Sequence, residues 1–114
     1  MHTTIQNAAI AGAIDAIRNA EILLTQQVRA ASDTMTAIKL TNEYNNLDSY
    51  LSTLLHAQNA ADDVTFAAAT KTICSTANGL KADEQTIQAI VKDVAIAAQV
   101  LKYLEQALAF VAKL

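Results

Sequence analysis

The sequence has no proline, no tryptophan and only two glycines in 114 residues. Proline and glycine are the residues that interrupt helices most strongly, so their scarcity favours long helices. Aromatic residues make up only 4% of the chain, and alanine is the commonest of its hydrophobic residues. Strands usually need more β-branched and aromatic residues than this. We therefore predict one all-α domain spanning residues 1–114, an antiparallel up-and-down bundle of long amphipathic helices.

The eight basic residues are scattered along a chain whose net charge is −3. Such a distribution does not favour binding to a phosphate backbone, so we expect no nucleic-acid partner. The apolar stretch at residues 8–14 lacks a preceding basic region, and Asp15 interrupts it, which is atypical of a signal peptide. No charge-free apolar run has the length of a transmembrane helix. We expect a cytoplasmic protein, with signal-peptide-independent secretion as the alternative.

Apolar residues recur at alternating spacings of three and four, the pattern of a coiled-coil-like seam, from Ile10 to Ile38 and from Ile87 to Val111. The polar run at 41–49 interrupts the first seam, and Gly79 suits a helix C-terminus. We favour three long helices, at about 4–44, 48–78 and 83–113. The alternative is a four-helix bundle with breaks near 32–34, 59–63 and 79–82.

The sequence offers little chemistry for an active site. A di-iron bundle needs Glu-x-x-His pairs, and the two histidines, His2 and His56, are not part of such a pair. The position of His56 predicts a surface side chain, and that of His2 a frayed end. Cys74 has no neighbouring histidine or second cysteine, which favours a buried or edge residue over a nucleophile. We predict no catalytic residue, cofactor or metal site.

Three acids, Glu21, Asp62 and Asp93, occupy positions that the apolar periodicity assigns to the core. A buried carboxylate needs a partner, or its pKa rises. We interpret the three as a buried polar layer that fixes the register of the helices. In the three-helix arrangement Glu21 and Asp93 lie about one helical turn apart. A cation or ligand site at these two acids is the alternative.

The last predicted helix has an unusually wide apolar face. A second apolar row runs beside its first one, and the two together cover about 200° of the helix, compared with roughly 100° for a typical surface helix. We predict that this second row forms an interface with another copy of the chain or with another helical protein. Its members are Ile96, Val100, Tyr103, Ala107, Phe110 and Leu114.

These features favour a non-enzymatic helical bundle that acts in protein–protein interaction or self-assembly through its C-terminal helix. The alternative is a bundle that binds a small apolar ligand or a lipid between its helices. A third hypothesis, an enzyme or metal protein that uses the acids within the apolar rows, has no catalytic motif to support it.

Overall fold

The computed structural model describes residues 3–114, so the expectation for His2 lies outside the described residues. Within this range there is no strand, and the prediction of an all-α protein is confirmed. The described part of the chain forms five helices: α1 Thr4–Ala30, α2 Thr34–Gln58, α3 Asp63–Ser75, α4 Ala77–Ile90 and α5 Val94–Val111.

The helices form an up-and-down bundle in which α3 and α4, separated only by Thr76, together make the third of four arms. The first arm, α1, packs against α2 and α5, and α2 packs against both α3 and α4. The contact between α4 and α5 closes the ring. The molecule measures 49 × 21 × 19 Å. Its long dimension is close to that of α1, whose 27 residues span about 40 Å at the usual helical rise.

Aspartates are the N-cap residues of three of the helices. The Asp33 carboxylate accepts the backbone N–H of Thr36 at 2.8 Å, and Asp62 accepts that of Thr65 at 2.8 Å. Asp93 accepts two backbone N–H groups in the first turn of α5. Each aspartate thereby satisfies amide groups that have no partner inside the helix. These caps define where α2, α3 and α5 start.

The favoured division into three helices is wrong, and two breaks of the four-helix alternative are the better description. The chain leaves helical geometry at residues 31–33 and again at 59–62. The apolar seam continues through the first of these breaks, but Asp33 is a strong N-cap and starts a new helix there. Local capping therefore decides the boundary, and the periodicity on either side does not reveal it.

The predicted break at 79–82 is also wrong, because Gly79 lies inside α4. No glycine in residues 3–114 has a positive φ, so Gly79 does not act as a left-handed helix terminus. Leu80 and Ile87 are buried, at 1% and 0% exposure, and anchor α4 on the core. The chain turns instead at residues 91–93, where Asp93 caps α5.

Each arm of the bundle packs one face into the core. The buried face of α5 lies between the two predicted apolar rows, so it includes residues of both rows. Val94, which belongs to the first apolar row predicted for the last helix, is 81% exposed. The largest fully buried side chains are Ile10, Ile17, Leu24, Leu40, Leu47, Leu54, Ile73, Leu80, Ile87, Val100 and Leu104.

Candidate functional site

The six residues of the predicted interface row divide into two groups. Val100 and Ala107 are fully buried in the bundle, at 0% exposure. The placement of these two at an interface is therefore wrong, since the bundle itself covers them. The other four are half-buried and pack against the core from one side of α5. We call this group the α5 edge: Ile96, Tyr103, Phe110 and Leu114.

The α5 edge faces α1, as the contact between Phe110 and Gly12 shows. A Cβ atom built on Gly12 would lie 2.5 Å from Cζ of Phe110, so the ring lies directly on the α1 backbone. The ammonium of Lys113 lies 5.4 Å from the centroid of the same ring, within the range of a cation–π contact. Part of the predicted interface is thus occupied by the protein's own first helix.

The predicted polar layer is correct in only one of its three positions. Glu21 is buried, at 6% exposure. Asp62 and Asp93 are exposed, and their carboxylates cap α3 and α5. The prediction is wrong for these two because each precedes its helix, so it does not share that helix's periodicity. The alternative that joined Glu21 and Asp93 in one site rested on the three-helix arrangement and falls with it.

The structure shows an acid arrangement that sequence periodicity missed. Three glutamates, Glu21, Glu43 and Glu84, each have a buried carboxyl oxygen without a hydrogen-bond partner. Each glutamate meets a second carboxyl group on a neighbouring helix. We call these contacts the carboxyl pairs. They are Glu21–Asp48 between α1 and α2, Glu43–Asp83 between α2 and α4, and Glu84–Glu105 between α4 and α5.

Burial is the largest cause of the altered titration of these glutamates, and the facing carboxyl group is the next. Together they raise the pKa of Glu21 to about 7, that of Glu43 to about 8 and that of Glu84 to about 7. Two neighbouring carboxyl groups repel each other when both are ionised, which favours the state in which one of them keeps its proton. Such coupled groups titrate as a pair.

A groove lies between α2 and α4, beside the junction of α3 and α4. Its volume is about 390 Å³. The Tyr50 hydroxyl, on the α2 side, donates to the carbonyl of Ile73 at 3.0 Å. At one end, Asn46 Nδ2 donates to Asp83 Oδ1 at 3.3 Å, which places the groove next to a carboxyl pair. Most of the lining residues carry a polar group, but the surface that they expose to the groove is mainly apolar: Asn46, Ser49, Tyr50, Thr53, Thr76, Gly79, Leu80, Ala82 and Asp83.

The remaining candidate side chains are isolated. His56 is exposed, as predicted. Cys74 is also exposed, so the expectation of a buried or edge cysteine is wrong. It lies one position past the buried Ile73, which turns it to the outer side of α3. In residues 3–114, no group of three or more histidine, cysteine, aspartate or glutamate side chains is arranged to hold a metal ion.

Helix α5 is the most apolar element of the bundle. By length and composition it could cross a membrane, with a mean hydropathy of 1.4, although only 28% of its 18 residues are buried. It includes the charged residues Lys102 and Glu105, and in the bundle it packs between α1 and α4. A helix of a bundle core has the same composition, so this property alone does not indicate a membrane segment.

Comparisons of the chain with known protein families, curated proteins and solved structures found no match. The function must therefore be argued from the bundle itself: its α5 edge, its carboxyl pairs and the groove between α2 and α4.

Proposed function

We propose that this protein is a non-enzymatic helical bundle that acts by protein–protein interaction, and that it self-associates through the α5 edge. The supporting observation is the imbalance between the composition of α5 and its burial. Although α5 has a mean hydropathy of 1.4, only 28% of its residues are buried. The four side chains of the α5 edge keep part of their apolar surface in contact with water. Apolar surface of this kind is often covered by a partner.

The surface next to the α5 edge suits close approach by a second copy. On the α1 side it begins with Ile5, which is 67% exposed, and continues with the small, exposed Ala8, next to the position where Phe110 covers Gly12. Small side chains let a second helix pack near the backbone. Because the same edge exists on every copy, two copies related by a two-fold axis would cover each other's apolar surface.

The test is a concentration series by sedimentation velocity on the wild type and on two doubly substituted variants. Ile96→Lys with Tyr103→Lys places two charges on the α5 edge. Lysine stems retain part of the packing against the core. We expect this variant to be monomeric while its circular dichroism stays helical. The matched control is Ala98→Lys with Ala109→Lys, which adds the same charge at exposed positions of α5 and should associate like the wild type.

A wild type that stays monomeric at the highest attainable concentration contradicts the proposal. Equal association of the two double variants contradicts the placement of the interface on the α5 edge. Loss of helicity in the edge variant alone would show that the edge serves only the protomer's own contact with α1.

The groove between α2 and α4 supports a second proposal, the binding of a small ligand between helices. Its exposed lining is mainly apolar, which fits the apolar ligand expected from the sequence, and its hydroxyl groups and the carboxyl group of Asp83 could orient such a ligand. Native mass spectrometry of the purified protein would show a retained ligand as added mass, and Gly79→Leu, which places a side chain at the groove, should remove it.

A further inference from the structure

Helix α4 has less local support than its neighbours. Its N-cap, Thr76, makes no side-chain capping bond. The Thr76 hydroxyl is engaged elsewhere, donating to the carbonyl of Thr72 at 2.8 Å. Gly79 lies in the first turn of α4, and glycine favours a helix less than alanine does. Only Leu80 and Ile87 are buried along its 14 residues. The stability of α4 therefore depends on its contacts with α2 and α5.

Both of those contacts include a carboxyl pair. Asp83 meets Glu43 of α2, while the next residue, Glu84, meets Glu105 of α5. Consecutive helical residues point about 100° apart, so adjacent acids can face two different neighbours. The two pairs thus hold α4 from both sides at the same level of the bundle.

The other polar and charged groups around these two pairs are few. Asn46 of α2 donates a hydrogen bond to Asp83 and lowers the pKa of Glu43. Lys81, on α4 itself, lowers the pKa of Glu84. The net effect on each glutamate remains an increase, because burial and the facing carboxyl group are the larger causes.

The third carboxyl pair, which does not involve α4, can be compared with the two pairs of that helix. Glu21 meets Asp48, with Arg18 of its own helix lowering the pKa of Glu21 and Tyr44 of α2 near the same carboxyl group. This pair lies between α1 and α2, which have 27 and 25 residues and are the two longest helices. It therefore makes up a smaller part of its interface than the pairs of α4 do.

We propose that α4 is a proton-controlled element of the bundle, docked between α2 and α5 when its two carboxyl pairs each hold a proton and released when those protons are lost. The geometry supporting this is twofold. Glu43 and Glu84 each have a buried carboxyl oxygen without a hydrogen-bond partner. Asn46 of α2 donates to Asp83 of α4 at 3.3 Å, which holds that carboxyl group at the contact between the two helices. Ionisation of such a pair places two negative charges near each other, and the repulsion is least screened at Glu43, which is only 7% exposed.

The sign of the effect follows from the direction of the shifts. The pKa of Glu43 rises from 4.5 to about 8, and that of Glu84 from 4.5 to about 7. A raised pKa in the folded state means that docking is fully favoured below the unfolded value and weakens as pH rises through the folded value. Docking of α4 should therefore be strongest near pH 4.5 and weaken towards about pH 8.

Hydrogen–deuterium exchange of the full chain, corrected for the intrinsic pH dependence of exchange, tests this directly. We expect the opening of α4 to increase about tenfold or more between about pH 6 and about pH 9, since one pKa unit corresponds to a tenfold change. Amides in the middle of α1 provide the reference. Protection of α4 that does not change with pH, relative to α1, would overturn the proposal.

Matched variants assign the effect to the pairs. Glu43→Gln with Glu84→Gln keeps the shape of the protonated acids but cannot ionise, so α4 should stay protected at the alkaline pH. Glu21→Gln removes the third pair and should leave the pH-dependent opening of α4 unchanged. If the double variant opens like the wild type, or if Glu21→Gln alone abolishes the effect, the proposal is wrong. Carbon-13 NMR titration of the wild-type glutamates tests the same point without any substitution.

Discussion

The two glycines of this protein lie in similar backbone but in different surroundings. Both Gly12 and Gly79 are inside helices, and neither has a positive φ. At Gly12 the ring of Phe110 occupies the position that a Cβ would take, at 2.5 Å. At Gly79 no atom lies within 4 Å of that position, because the residue borders the groove between α2 and α4. A side chain at the first glycine would displace an aromatic ring, whereas one at the second would meet open space.

This difference extends to the two sides of the bundle. The contact between α1 and α5 is close-packed and apolar, with an aromatic ring set on a helix backbone. The contacts of α4 with α2 and α5 combine a few buried aliphatic residues with an open groove and two carboxyl pairs. Packing of the first kind is insensitive to pH, whereas the second kind depends on the protonation of its acids.

The largest expected effect is the loss of a buried leucine on either side. Leu104 of α5 is 0% exposed, and Leu80 of α4 is 1% exposed but also lines the groove. Leu→Ala at such positions costs about 2–5 kcal/mol, depending on how well the site adjusts. We expect Leu104→Ala at the upper end of that range and Leu80→Ala at the lower end, because water or a small movement of α4 can fill the space beside the groove. Urea unfolding gives both values, and equal losses would contradict the comparison.

The next effect is at Gly12. Gly12→Ala forces the Phe110 ring off α1, so we expect a loss of about 1–3 kcal/mol in the free energy of unfolding, the usual cost of overpacking. Phe110→Leu should relieve the clash, so the double variant should lose less than the sum of the single ones. A double-mutant cycle by urea unfolding measures this coupling. Additive losses would show that the ring and Gly12 are energetically independent.

The features of this fold that the sequence predicts are those that depend on a single helix. The all-α class follows from composition, and the burial of Glu21 follows from periodicity, because both depend on regularities within one helix. Periodicity predicts core positions at Asp62 and Asp93 because the apolar pattern continues across the breaks in which these two caps lie. The sequence signal for both caps is the aspartate itself, a residue that favours the start of a helix.

The candidate sites depend on contacts between helices, which no pattern within one helix shows. Nothing in the sequence near Glu43 or Glu84 indicates that each meets an acid on another helix. These contacts follow from the place of α4 in the third arm, and the break predicted at 79–82 assigns Asp83 and Glu84 to the last helix instead. Likewise, the division of the α5 row into buried Val100 and half-buried Tyr103 depends on where α1 packs.

A smaller effect of opposite sign is expected at the second glycine. Gly79→Ala adds a Cβ in open space and replaces glycine in a helix interior, which should stabilise the protein by about 0.5–1 kcal/mol. Thermal unfolding followed by circular dichroism would show the raised midpoint. Gly12→Ala, the same substitution in the other helix, is the matched control and should move the midpoint down. A destabilised Gly79→Ala variant would mean that the groove is closed in solution.

The smallest effect concerns a fully exposed carboxylate, and it separates the caps from the carboxyl pairs. Hydrogen bonds from the backbone N–H and the hydroxyl of Thr65 lower the pKa of Asp62. Its stabilising contribution is therefore present above the unfolded value of 3.8 and is lost as pH falls through the lower folded value. The carboxyl pairs have the opposite pH dependence, since their contribution to stability is lost as pH rises.

Asp62→Ala should destabilise the protein at neutral pH, and this loss of stability should shrink in acid. Asp62→Asn keeps a capping oxygen without the charge. Urea midpoints of the wild type and both variants across the acid range would test this. A deficit of Asp62→Ala that grows as the pH is lowered would show that the cap does not act through its ionised form.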